Sequence, residues 1–182
     1  MPIPEPDLSP DQFLQPLCLI RAEHERQLII GRELSRLSSL RSIDFVGEIG
    51  LSLLVFFTEE LLLHHQDEEA DLFRILRLTC QPKDQIATVL EELERDHAVE
   101  SYLMRMIVID LKQVLGGKKL ESALFFSDNL NLFAQDQERH LVWENEVVLP
   151  LASKRLSLDD LEGLGRNMAA RRRITFPTHF AT

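Results

Sequence analysis

The chain has 182 residues, 45% of them apolar and 27% charged, and a formal net charge of -10. That length fits one domain with a sizeable core, and the acidic balance argues against a nucleic-acid backbone as partner, which needs clustered Lys and Arg. Its two cysteines, Cys18 and Cys80, lie far apart without CxxC spacing, which argues against a disulfide framework or a thiolate zinc site.

The N-terminus, MPIPEPDLSPDQF, is proline-rich and acidic, unlike a signal peptide, and residues 1–14 read as an irregular arm. A helical pattern runs from about residue 17 to 40, with Leu17, Ile20, His24 and Leu28 on one face. After a break at SSLRSID, a second helix spans about 44–78 until CQPKD, because proline cannot continue a helix and restricts the residue before it. Its uncharged stretch, residues 49–58, is too short to cross a bilayer. A third helix, about 83–115, carries Ile86, Leu90, Leu93, His97, Met104, Val108 and Leu111 as a stripe and stops at GGKK. A fourth covers about 120–156, with Pro150 bending its last turns. Ser157 and Asp160 form a capping-box pattern for a fifth helix, about 158–172. The basic run Arg171-Arg172-Arg173 reads as a solvated helix end. Strand-like runs are scarce, so the expected fold is all-α: an up-and-down antiparallel four-helix bundle over residues 15–156, then a short helix and tail over 157–182.

The histidines carry the functional signal. His179 is in the tail, but His24, His64, His97 and His140 each lie deep in one long helix, with His65 beside His64. In an antiparallel pair, residues at equal depth lie symmetrically about the connecting turn. The midpoint of His24 and His64 is residue 44, at the RSID break; that of His64 and His97 falls beside Pro82; that of His97 and His140 falls just after Gly116-Gly117. At a rise of about 1.5 Å per residue, the four histidines can share one layer. Glu68 follows His64 by four residues and Glu144 follows His140 by four, which places each pair on one helix face. Four imidazoles and two carboxylates can hold two metal ions, and nitrogen-plus-oxygen ligation without thiolate suits iron or manganese, with zinc as a further candidate.

The pattern H…HxxxE…H…HxxxE resembles the haemerythrin-like, or HHE cation-binding, family. Here it reads His24, HHQDE at 64–68, ERDHAVE with His97, and HLVWENEVVLPLA from 140, and the likeness covers about residues 15–156. The resemblance implies a four-helix bundle with a non-haem, usually di-iron, centre that binds dioxygen, nitric oxide or iron in different members. It implies the ligands His24, His64, Glu68, His97, His140 and Glu144. Ser101 stands where invertebrate haemerythrins have a fifth histidine on the third helix, which argues against classical reversible oxygen carriage.

His64 rather than His65 is the expected ligand. Overlaying His64 on His140 also aligns Glu68 with Glu144 and Leu72-Phe73 with Val148-Leu149, whereas sliding by one drops Arg74 onto Leu149. His65 is then either a flanking hydrogen-bond partner or a further ligand on the second metal. Leu61, Phe57, Leu72, Met104 and Phe133 are the candidate apolar lining for a gas ligand. No nucleophile with a partner base stands out, so the expected protein is a cytoplasmic metal- and gas-binding protein, with oligomer formation left open. A di-iron redox enzyme turning over peroxide or nitric oxide, and a metal-free helical interaction module, are the alternatives.

Overall fold

A computed structural model describes residues 8–177, and within them every regular element is helical. The expectations for residues 1–7 and for the tail that holds His179 lie outside the described residues. Helix α1 is Pro16–Ser39, with proline in its first turn, where a missing N–H costs nothing. Helix α2 runs over 46–79 and ends at Cys80, and Gln81, the residue before Pro82, is extended as that proline requires. Helix α3, Ile86–Leu115, stops at Gly116-Gly117, with Gly117 at φ 73°. Helix α4 covers 123–155 and starts at Ser122, whose hydroxyl accepts from the Phe125 N–H at 3.1 Å. Helix α5, Leu158–Arg171, opens on the expected capping box: the Ser157 N–H donates to Asp160 Oδ2 at 2.9 Å and the Asp160 N–H to Ser157 Oγ at 3.2 Å.

Two features go beyond the sequence reading. Helix α2 widens into π-turns at Phe56–Glu60 and Glu68–Leu72, and α4 does so at Glu144–Val148. Two of the three begin at the carboxylates singled out above. A π-turn admits one extra residue relative to α-helical periodicity, and at each of these two sites consecutive apolar residues are buried across its end, Leu72-Phe73 and Val148-Leu149. Pro150 follows the α4 π-turn, so the disturbance expected at that proline lies one turn earlier.

The second feature is how the two ends dock. Residues Pro10–Leu14 form a 3-10 turn with Phe13 fully buried, so this part of the expected irregular arm is ordered and packed. Helix α5 lies against that turn, α1 and α2. The basic run is not the solvated end its composition suggests. Arg171 Nη1 donates to Asp67 Oδ1 at 2.6 Å, and Arg171 also pairs with Asp71. Arg172 donates to Asp67 Oδ2 at 2.6 Å and to Glu23 Oε1 at 2.9 Å; of the three, Arg173 alone is exposed. The counter-charges come from residues 100 to 149 positions away, which is why the run alone suggests open solvent.

Helix α1 packs on α4, and α3 packs on both α2 and α4. The core is split in two. One apolar cluster gathers Leu34, Leu53, Phe57, Ile107 and Phe133; the other gathers Ile20, Phe73, Leu90, Leu149 and Met168. All four histidines of the motif lie between the two clusters along their helices. No helix among the described residues is long and apolar enough to cross a membrane.

A Cβ added at Gly165 would overlap the Phe13 carbonyl oxygen, while one at Gly163 would meet nothing within 4 Å. Gly165→Ala should therefore destabilise the protein by about 1–3 kcal/mol through overpacking, and Gly163→Ala should be neutral or stabilising by up to about 1 kcal/mol. Thermal unfolding of the two variants checks this. Equal melting temperatures would mean that α5 is not docked on the 10–14 turn.

Candidate metal centre

His24, His64, Glu68, His97, His140 and Glu144 converge in one buried layer, each no more than 2% exposed. They form two overlapping groups of four: His24, His64, Glu68 and Glu144, then Glu68, His97, His140 and Glu144. Within each group the donor atoms lie within 4.8 Å of one another, and both carboxylates belong to both groups. The Nε2 atom of His24 is 3.2 Å from Glu68 Oε1 and 3.3 Å from Glu144 Oε2. His64 Nε2 is 3.4 Å from Glu68 Oε2, and His97 Nε2 is 3.5 Å from the same oxygen. His140 Nε2 is 3.1 Å from Glu144 Oε2 and 3.2 Å from His97 Nε2.

All four rings therefore turn Nε2 inward. Their Nδ1 atoms face outward, each toward a partner on another helix. His64 Nδ1 lies 2.9 Å from Glu23 of α1, and His97 Nδ1 lies 2.7 Å from Glu69 of α2. His140 Nδ1 faces Glu100 of α3 at 4.0 Å, and His24 Nδ1 lies 3.0 Å from Asn145 of α4. Each helix so contributes one inward imidazole; α1, α2 and α4 also place a hydrogen-bonding acceptor beside the next helix's Nδ1, with the link from α4 closing back on α1, while Glu100 of α3 lies near His140 Nδ1 beyond hydrogen-bond distance. A proton held on Nδ1 by such an acceptor leaves the Nε2 lone pair free to bind a cation.

The electrostatics fit the same use. Glu68 Oε2, both oxygens of Glu144 and His64 Nε2 are buried and lack a hydrogen-bond partner among the described residues. Such groups are costly unless a cation or proton occupies the space between them. Burial opposes charge on His64, but Glu68 and then Glu23 raise its pKa to about 9. Burial also opposes charge on His140, and Glu144 raises its pKa to about 10. Burial pushes Glu68 upward, yet the His64 and His24 rings hold it well below the usual carboxylate range. Without metal, protons on imidazoles offset the carboxylate charge.

His65 is buried but stands outside both groups of four. Its ring stacks on His97 at 4.0 Å between centroids, and its Nε2 is 3.3 Å from Glu100. Burial, with His97 and His64 nearby, pushes its pKa well below 6.5. Phe73 stacks on His97 with rings 5.9 Å apart, so that imidazole is held by both neighbours. The sequence reading missed Glu23, Glu69, Glu100 and Asn145. The available signal was adjacency, since three of the four sit next to a motif residue and point about 100° away from it around their helix.

The chain matches the Hemerythrin HHE cation binding domain over residues 16–152. A Haemophilus influenzae protein, named only as an uncharacterized protein, is 26% identical over 179 residues, spanning 92% of this chain and 97% of its own. No solved structure gives a significant match.

The raised imidazole pKa values set a sign for pH effects. Both folded values exceed 6.5, so in metal-free protein their stabilisation is full below about pH 6.5 and is lost as pH rises through about 9 to 10. At pH 7, metal uptake must displace a proton from His64 and another from His140. Calorimetry in buffers of different ionisation heat should detect that release. Uptake without proton release would contradict the inward-facing protonated imidazoles.

Proposed function

Because the chain belongs to the hemerythrin HHE cation-binding family, we propose that its buried layer holds two non-haem metal ions, iron in the first instance, and binds dioxygen or nitric oxide. The observation that carries this reading is the pair of four-residue groups sharing Glu68 and Glu144. His24 and His64 would hold one ion and His97 and His140 the other, with Glu68 and Glu144 available to both. A nitrogen-and-oxygen donor set without thiolate suits iron or manganese and also accommodates zinc. Reduced iron in such a centre supplies a redox-active position for a diatomic ligand.

The protein's own residues set the conditions. The outer acceptors orient the imidazoles, and the buried carboxylates offset the cation charge. The apolar clusters on either side, with Leu61, Phe57, Met104 and Phe133 in one and Leu72 in the other, keep bulk water out and admit small gases. His65 acts as a supporting ring between His97 and Glu100 rather than as a ligand. This reading takes the four long helices as an up-and-down antiparallel bundle in a cytoplasmic protein. Equal depth of the four histidines supports that arrangement.

Protein purified without chelator should carry about two ions of iron, manganese or zinc per chain by elemental analysis. The double variant His64→Ala, Glu68→Ala should retain well under half of that. Full metal content in the variant would defeat the ligand assignment. Reduced protein exposed to oxygen or nitric oxide should develop a stable new absorption band. Continuous gas consumption without a stable adduct would instead identify a turnover enzyme.

A further inference from the structure

The C-terminal helix α5 lies beyond the residues matched by the family, yet it reaches the metal layer. We propose that Arg172 is a positioning residue for one half of the metal centre: it holds Glu23, and Glu23 holds His64. This inference rests on the two-metal reading above.

Arg172 Nη2 donates to Glu23 Oε1 at 2.9 Å, and the other oxygen of the same carboxylate, Oε2, lies 2.9 Å from His64 Nδ1. Arg172 Nη1 donates to Asp67 Oδ2 and to the Met168 carbonyl, so the guanidinium is fixed on three sides. The chain end that carries it is fixed as well. Arg173 takes φ 56°, its N–H bonds the Ala170 carbonyl at 3.0 Å, and the Ile174 N–H returns to the Ala169 carbonyl at 2.9 Å. That closure of α5 aims Arg172 at α1 and α2 rather than at solvent.

Glu23 needs this restraint. It borders a cavity of about 540 Å³ that Arg172, Arg26 and His64 also line. A carboxylate at the edge of such a space can rotate into water, and His64 would then lose the acceptor that keeps Nδ1 protonated and Nε2 inward. The other half of the centre has no such tie among the described residues. His97 leans on Glu69, which is 44% exposed, and His140 faces Glu100 at 4.0 Å. Losing Arg172 should therefore weaken the ion held by His24 and His64 and spare the ion held by His97 and His140.

Arg171 supplies the control. It pairs with Asp67 and Asp71 and so helps to dock α5, but no contact links it to Glu23. The test loads full-length protein with zinc and challenges it with a chelator at a concentration at which the wild type keeps both ions. Arg172→Ala should keep one ion and release the other at about 10-fold lower chelator or less. Arg171→Ala should keep both despite a lowered melting temperature. Arg172→Lys should fall between, since an ammonium lacks the fork that reaches two carboxylates. Glu23→Ala cuts the same link without removing a partner of Asp67, so it should copy Arg172→Ala and serves if that variant folds poorly. Loss of both ions, loss of neither, or equal loss in the Arg171 and Arg172 variants would overturn the proposal. A wild type that holds neither zinc nor, loaded in the same way, ferrous iron or manganese would defeat the two-metal reading itself, an outcome distinct from a two-metal wild type whose Arg172→Ala keeps both.

Discussion

Two carboxylates, Glu68 and Glu144, are each at most 1% exposed and lie in a layer with four imidazoles. That is an expensive arrangement for a helical core. Charged groups withdrawn from water need opposite charge at contact distance and partners for their remaining lone pairs. Much of the rest of the molecule can be understood from this need. The apolar core divides around the layer, two π-turns begin at the two carboxylates, and the helices carry a ring of polar links between them.

The ring of links gives the fold its specificity. Hydrocarbon packing tolerates small slides of one helix along another, but a hydrogen bond of 2.7 to 3.0 Å between an outer acceptor and an Nδ1 does not. Three of the four links have that length, and the fourth, from Glu100 to His140, is longer. Glu100 divides its surroundings between His140 and His65, and burial raises its pKa. The layer thus has a firm side and a looser side. The firm side is tied through Glu23 and Arg172 to α5, which makes the C-terminal helix part of the site rather than an appendage.

Much of this was legible in the chain. Proline and glycine marked two of the three turns and the SSLRSID break the first, the depth of each histidine followed from those turns, and the two HxxxE spacings picked out the carboxylates. The choice of His64 over His65 as the inward ring also followed from the overlay with the fourth helix, and the structure places His64, not His65, among the converging side chains. What stayed hidden depends on partners from other helices. Arg171 and Arg172 looked solvated because Asp67, Asp71 and Glu23 are distant in sequence. Glu23, Glu69 and Asn145 each sit beside a motif residue, and a residue next to an inward-facing ligand naturally points at the neighbouring helix. The π-turns leave no mark in periodicity until two successive buried positions, such as Leu72-Phe73, are weighed together.

The central claim is that one layer of six side chains would hold two ions, with Glu68 and Glu144 available to both. A crystal structure of protein purified without chelator, with anomalous diffraction recorded at the absorption edge of the metal found, tests it most directly. The account predicts two anomalous peaks, one between His24 and His64 and one between His97 and His140, each within reach of Glu68 and Glu144. A single peak, or peaks outside this layer, would contradict it.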